Sequence, residues 1–437
     1  MFCFNHYLTS LFLILVTSFI IEANTINPKD ASDIWSLVLL TEEKTTYGAM
    51  CIDGTPAALY YKLGSGENSS KFILFFEGGG WDVSIPDAYG RSLTPLGSSK
   101  TYPNSTNEYL VRDVLDTNCT NNPYFCTWTS VYMPYCDGQS RAGNLEVPIE
   151  YNNTYLNFRG YRNLEASINH LLENYNLNQA DHVLISGSSA GGLTTILHSD
   201  YITNTLRKVN PNVIVKAVPE VGFFLDANSI WNNEHLYTQV YSRVALFANI
   251  TTGLPAQVNE GCVANTPANE RWKCFMAQYT YPYITTPVFL LNSMVDEWQA
   301  SNILAPNYNT DPYVTTYGPF IPCIEDPAKG CNSTQFQQWF GYGDQFMLAL
   351  NTSIKATPVS SMNQNGGFIT SCPIHTTAIS GLSHKIHING VSMYEALASW
   401  YFEKQGPGGQ QYWTIDKVWP NNPTCPKPGP VTELRMM

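Results

Sequence analysis

Three residues of the types that carry out acyl transfer occur in the order Ser189, Asp296, His375. Ser189 is the central serine of Gly187-Ser188-Ser189-Ala190-Gly191, which fits the G-x-S-x-G pattern of a nucleophile on a sharp strand-to-helix turn. Such a turn needs small neighbours, and Gly187, Ala190, Gly191 and Gly192 supply them. A plain Gly/Ser turn would read the same in isolation, so the flanks decide. Val183, Leu184 and Ile185 form an apolar run suited to a buried strand, and Leu193, Ile196 and Leu197 repeat at helical spacing.

A serine of this kind needs a base and an acid behind it. Val288 to Leu291 reads as a late apolar strand, and Asp296 follows its end, where an α/β hydrolase places its acid. The plain alternative for Asp296 is a loop acid or helix N-cap. Three histidines come later, His375, His384 and His387. His375 ends a short apolar segment from Phe368 and lies beside Cys372, whose disulfide would keep the loop rigid. His384 and His387 approach a helix expected over Val391 to Trp400, which suits a surface or capping role. Upstream, the strand Lys71 to Phe76 runs into Glu77-Gly78-Gly79-Gly80-Trp81. Three glycines there let the backbone turn its N–H groups towards a ligand, as in the first half of an oxyanion hole; a flexible turn is the alternative.

The elements that must position these residues alternate between strand and helix. Residues 24–50 read as a lead-in, Ala57 to Tyr61 as a strand, Gly64 to Asn68 as a hairpin-like loop, and 82–130 as loop-rich. Val131 to Pro134 is a short strand, and Arg159 opens a helix whose apolar stripe is Leu164, Ile168, Leu171 and Leu172. Val213 to Val218 is a further strand. Residues 227–283 are aromatic and irregular, suggestive of a lid or cap, and 301–340 are rich in Asn, Pro and Tyr. This pattern predicts an α/β-hydrolase-like fold, a mostly parallel sheet flanked by helices with long disulfide-stapled loop insertions. With no repeats and no interdomain linker, one domain is expected over 24–437.

Residues 1–23 read as a signal peptide. The apolar run Leu11 to Ile21 is too short to span a bilayer. The n-region lacks Lys and Arg, so a retained anchor is the alternative. Of the 437 residues only 13% are charged, the formal net charge is -12, and no Lys/Arg cluster occurs, which argues against a nucleic-acid partner. Asn-x-Ser/Thr acceptors stand at Asn68, Asn104, Asn118, Asn152, Asn249, Asn332 and Asn351. Beyond Cys3 there remain Cys51, Cys119, Cys126, Cys136, Cys262, Cys274, Cys323, Cys331, Cys372 and Cys425, an even set suited to disulfides in an oxidising compartment. Closeness in sequence pairs Cys119 with Cys126, Cys262 with Cys274 and Cys323 with Cys331; the connectivity of the other four stays open. No cysteine or histidine spacing matches a zinc site, and no cofactor is expected. A secreted, extracellular glycoprotein is expected, monomeric and without a stable membrane span.

With these motifs in view the chain resembles the pectinacetylesterase/Notum family of serine carboxylesterases. The resemblance rests on Glu77-Gly78-Gly79-Gly80-Trp81, Tyr135-Cys136-Asp137-Gly138, Arg159-Gly160, Gly187 to Gly192, Gly222-Phe223-Phe224-Leu225-Asp226, Leu290-Leu291-Asn292-Ser293 with Asp296-Glu297-Trp298-Gln299, and Ser371-Cys372 with His375. It implies a triad of Ser189, Asp296 and His375, and an oxyanion hole from the backbone N–H groups of Gly80, Trp81 and Ala190. It also implies an O-acyl ester substrate, an acetyl ester on a polysaccharide such as pectin, with a lipid acyl ester on a protein as the alternative. A hydrolase fold serving only as an extracellular binding module is a third reading. Two stretches depart from the plant pattern: Asp82 replaces a cysteine usual directly after the tryptophan, with the second cysteine usual a few residues on missing as well, and Glu220-Val221 replaces Asp-Ala.

Overall fold

Side-chain alternation along the central strands sets the architecture. In β3 (Lys71–Phe76) Phe72, Leu74 and Phe76 enter one core cluster while Ile73 and Phe75 enter another. Val183 and Ile185 against Leu184 divide the same way. Successive strand residues point to opposite faces, so a strand apolar on both faces must be covered on both. The computed structural model shows that arrangement, and it describes residues 34–106, 113–230, 233–235, 237–239, 244, 257–306, 320–376, 381–402, 412–417 and 421–426.

The other strands are β1 (Trp35–Leu39), β2 (Ala58–Lys62), β4 (Ser105–Thr106), β5 (Thr129–Met133), β6 (His182–Ser188), β7 (Ile214–Glu220), β8 (Phe289–Ser293), β9 (Gly366–Thr370) and β10 (Tyr412–Ile415). They form a 10-stranded sheet in the order β10-β9-β8-β7-β6-β3-β5-β2-β1-β4. From β10 to β5 every pair is parallel; β2, β1 and β4 add antiparallel strands at one edge. On one side pack α2 (Gly160–Asn174) and α3 (Ala190–Val209), with Leu164, Ile168, Leu171, Leu193 and Ile196 in the core. On the other side lies α5 (Met393–Phe402), through Leu397 and Trp400. This is the mostly parallel α/β fold expected.

Several local expectations are corrected. The loop after β2 is not a hairpin, because β5 lies between β2 and β3; it crosses the start of β5, where the Gly64 N–H donates to Thr129 Oγ1 at 3.0 Å and Asn68 Nδ2 to Thr127 Oγ1 at 2.8 Å. The lead-in contains β1. The loop-rich stretch contains α1 (Ile85–Ser92), started by Ser84 accepting from the Asp87 N–H and by Pro86 in the first turn. The polar stretch 301–340 contains the start of α4 (Ser333–Ala356), whose cap is the reciprocal Asn332/Gln335 pair. Of the suggested lid, residues 257–283 are packed into the main core through Cys274, Phe275 and Tyr281. Much of 231–256 lies outside the described residues, as does the segment 1–23 expected to be a signal peptide.

All five disulfides are formed. The three local pairs are as expected, and the remaining cysteines join as Cys51–Cys136 and Cys372–Cys425. The second of these braces the loop that carries His375.

Candidate active site

The carboxyl ends of β3, β6, β7, β8 and β9 lie side by side in the sheet, and each leads into a loop that supplies the site. β6 ends at Ser188, and Ser189 takes φ 58° and ψ -122° before α3 begins at Ala190. A non-glycine residue in that region is strained, and the neighbours pay for it. The Ser189 N–H donates to the Glu220 carbonyl at 3.0 Å. A Cβ at Gly191 would lie 2.0 Å from the Phe76 carbonyl oxygen, so β3 presses on the turn too closely for any side chain there.

The structure brings Ser189, Asp296 and His375 together. His375 Nε2 lies 2.8 Å from Ser189 Oγ, and Nδ1 lies 2.8 Å from Asp296 Oδ2. With a carboxylate on Nδ1, the tautomer is Nδ1–H donating to Asp296 and Nε2 accepting from the serine hydroxyl. The other Asp296 oxygen, Oδ1, accepts from the Gln299 N–H at 2.8 Å, so the residue is also the helix N-cap of the plain reading. Asp296 is 0% exposed, His375 2% and Ser189 9%, so the serine is the most accessible of the three. Burial disfavours a charged imidazole, but Asp296, then Glu297 and Glu220, outweigh it and hold the His375 pKa above its ordinary 6.5.

The glycine loop after β3 sits against Ser189. A Cβ at Gly78 would meet the Ser188 carbonyl oxygen at 2.4 Å and Ser189 Cβ at 2.9 Å. Gly79 and Gly80 have φ 151° and 70°. Arg91 Nη1 donates to the Gly79 carbonyl at 2.7 Å, and the Tyr135 hydroxyl donates to the Gly80 carbonyl at 2.8 Å. In a trans peptide the carbonyl and the next N–H point in opposite directions, so these two bonds turn the Gly80 and Trp81 N–H groups away from Arg91 and Tyr135. The Ala190 N–H opens α3, where a helix leaves its first amides without an intrahelical acceptor. Asp82 is fully buried and accepts from Arg91 Nε at 2.6 Å. Burial pushes its carboxyl up to about 7 despite the guanidinium. The Arg91–Asp82 contact thus holds this loop where plant-type relatives are expected to carry a cysteine.

Rings crowd the imidazole. Trp298 stacks on His375 at 5.7 Å, and Trp81, Phe224 and Tyr237 meet it or one another edge-on. Gln299 ties the Gly222 to Leu225 segment to this wall, accepting from the Leu225 N–H and the Tyr342 hydroxyl and donating to the Phe223 carbonyl. His384 and His387 stay apart: His384 packs on the Tyr394 ring, and His387 Nδ1 lies against the Lys385 carbonyl. Arg91 and Ser140 were not singled out from sequence, and nothing in their spacing marks them; Tyr135, Glu297 and Gln299 lie in motifs that carry the resemblance, which assigned them no role.

Glu297 contributes a pH dependence. Its Oε1 accepts from the His375 N–H at 3.4 Å, and burial, followed by Asp296, pushes its carboxyl from 4.5 to about 7. A carboxyl with a raised folded pKa binds protons more tightly when folded, so its stabilisation is lost as pH rises from about 4.5 to about 7. Glu297→Gln keeps the acceptor and removes that loss. The variant should gain up to about 3 kcal/mol over wild type between pH 4.5 and 8, read by urea unfolding. An unchanging difference across that range would refute the assignment.

Among the described residues, Cys372, Asp416 and Cys425 approach metal-ligand spacing, but the two sulfurs are bonded to each other. That group is therefore no thiolate site.

A nucleophile elbow at the end of a parallel strand, with histidine and aspartate behind it, defines the class: an α/β-fold serine hydrolase. The family model of the pectinacetylesterases matches residues 29–426, and the chain belongs to that family of carboxylic ester hydrolases. It is 31% identical to pectin acetylesterase 5 of Arabidopsis thaliana over 90% of this chain and 85% of the relative. It is 25% identical to palmitoleoyl-protein carboxylesterase notum1' of Xenopus laevis over 86% and 72% of the two chains. Among solved structures, the Wnt deacylase Notum from Drosophila superposes with a TM-score of 0.69, covering 90% of this chain and 99% of that one at 21% identity, which bears on the fold.

Proposed function

We propose that the chain is a secreted serine esterase that removes O-acetyl groups from a polysaccharide, pectin being the substrate class. The observation that carries this reading is His375 placed 2.8 Å from both Ser189 Oγ and Asp296 Oδ2. Ser189 attacks the acetyl carbonyl while His375 Nε2 takes its proton. The tetrahedral oxyanion sits on the Gly80, Trp81 and Ala190 N–H groups, each worth about 3 to 4 kcal/mol. His375 then protonates the departing sugar hydroxyl, and the acetyl group is left on Ser189. Water activated by the same imidazole attacks that ester, releasing acetate and restoring the serine, and Asp296 stabilises the imidazolium in both halves.

The acetyl group is supported by the pectin acetylesterases among the relatives. Purified protein should release acetate from acetylated pectin and hydrolyse p-nitrophenyl acetate with a kcat/KM about 100-fold or more above that for the palmitate ester. A preference for the long chain would favour the lipid-acyl reading. Failure of Ser189 to react with a fluorophosphonate would favour a binding module.

Secretion is supported by the five disulfides. Among the acceptor asparagines, Asn104, Asn118, Asn152, Asn332 and Asn351 are exposed, Asn68 is half-buried, and Asn249 lies outside the described residues. Among the described residues no helix is long and apolar enough to cross a membrane. Expressed with its own N-terminus in cells that secrete and glycosylate, the protein should collect in the medium and lose mass on endoglycosidase treatment. Retention in the cell membrane fraction would instead support the anchor. The reading takes one monomeric domain over 24–437 as the working unit.

A further inference from the structure

The turn after β5 makes contacts that the reaction scheme does not use. Ser140 is fully buried, yet it has φ 48°, and Arg141 beside it has φ 56°. Two consecutive non-glycine residues in the left-handed region cost on the order of 1 to 3 kcal/mol each and persist only where the surroundings over-determine them. Here they do: Asp137 Oδ2 accepts from the Gln139 N–H at 3.2 Å and from the Arg141 N–H at 2.8 Å, and Cys136 is in a disulfide with Cys51.

The turn delivers the Ser140 hydroxyl to a point between the two chain segments that carry the oxyanion donors. Trp81 Nε1 donates to Ser140 Oγ at 2.8 Å, and Ser140 Oγ donates to the Ala190 carbonyl at 2.8 Å. The Ser140 N–H donates to the Tyr135 hydroxyl at 3.0 Å, and that hydroxyl donates to the Gly80 carbonyl. The carbonyl of Ser140 lies 3.3 Å from His198 Nε2, on the inner face of α3. One residue thus fixes Gly80, Trp81 and Ala190 with respect to each other, although these donors lie on loops more than a hundred residues apart in sequence.

We propose that Ser140 is a positioning residue that sets the spacing between the two halves of the oxyanion hole. The proposal rests on the esterase reading above. The hydroxyl touches neither substrate nor triad; it acts by holding Trp81 and Ala190, whose N–H groups meet the oxyanion in the transition state.

Losing a whole oxyanion donor costs about 10²- to 10³-fold in kcat. Misplacing the pair by removing their common anchor should cost about 10- to 100-fold. With acetylated pectin and p-nitrophenyl acetate, Ser140→Ala should show that loss in kcat with KM within about twofold, because the contact matters in the transition state. The acid limb of the kcat/KM profile should not move, since the triad is untouched; a general loosening of the site would shift it. Trp81→Phe removes the same bond from the other side, so the losses of Ser140→Ala and Trp81→Phe should not multiply in the double variant. If Ser140→Ala fails to fold, the kcat loss and unmoved acid limb of Trp81→Phe carry the test. Unchanged kcat in either variant, or fully multiplicative losses, would overturn the proposal. Fluorophosphonate labelling separates this failure from that of the esterase reading: a wild-type protein that does not label defeats the latter, whereas equal labelling rates for wild type and Ser140→Ala defeat only the role of Ser140.

Discussion

Ser189→Ala should lower kcat on acetyl esters by about 10⁴-fold or more while the protein stays folded, and Ser188→Ala should keep most of the activity. The two hydroxyls are adjacent in sequence and opposite in setting. Ser189 occupies the strained position of the turn, and its Oγ meets the imidazole. Alanine accepts the same backbone, so the loss is chemical. Ser188 is the last residue of β6, paired to Glu220 across the sheet and fully buried, and its Oγ has no hydrogen-bond partner among the described residues. Deleting a buried hydroxyl that bonds nothing costs little and can even stabilise. Initial rates with p-nitrophenyl acetate, alongside thermal unfolding of both variants, make the comparison. Equal losses from the two changes would mean that the nucleophile has been misassigned.

The parts of the site legible in the sequence are those whose physics is local. The turn at Ser189 announces itself because its small residues, the apolar run before it and the helical spacing after it are all consequences of one sharp bend. Asp296 was marked by following a strand. The three short disulfides were legible because ring closure over a few residues leaves few alternatives. The connectivity of Cys51–Cys136 and Cys372–Cys425 was not, since it depends on which strands become neighbours. The same reason hid the edge order of the sheet: the loop after β2 reads as a hairpin until β5, over 60 residues later, takes the place between its two strands. α1 was hidden although Ser84, Pro86 and Asp87 mark its start, because the Asn, Ser and Pro content of the surrounding stretch masks that cap. Ser140 and Arg91 were beyond reach. They act through carbonyls of residues distant in sequence, and nothing in a serine or arginine on a loop says which carbonyl it will find.

His375→Ala should silence the enzyme as fully as Ser189→Ala, and combining the two should cost little more, because a triad acts as a unit. Asp296→Asn should reduce kcat about 10⁴-fold while leaving the geometry in place, since an amide on Nδ1 no longer enforces the tautomer that frees Nε2 to accept the serine proton. His384→Ala and His387→Ala should stay within about twofold of wild type, as the first ring is exposed against Tyr394 and the second bonds its own segment. The pH profile adds a signed test. The base works when neutral, so kcat/KM falls as pH drops through the His375 pKa, which the surrounding carboxylates hold above 6.5. Asp296 is the foremost of the groups that raise it, ahead of Glu297 and Glu220. Removing its charge lets burial dominate, and the residual activity of Asp296→Asn should show its acid limb at lower pH than wild type; Glu297→Gln should shift the limb the same way by less. A limb that stays put in Asp296→Asn, or an active His375→Ala beside an inactive His384→Ala or His387→Ala, would remove His375 as the base and the proton path through Asp296 with it.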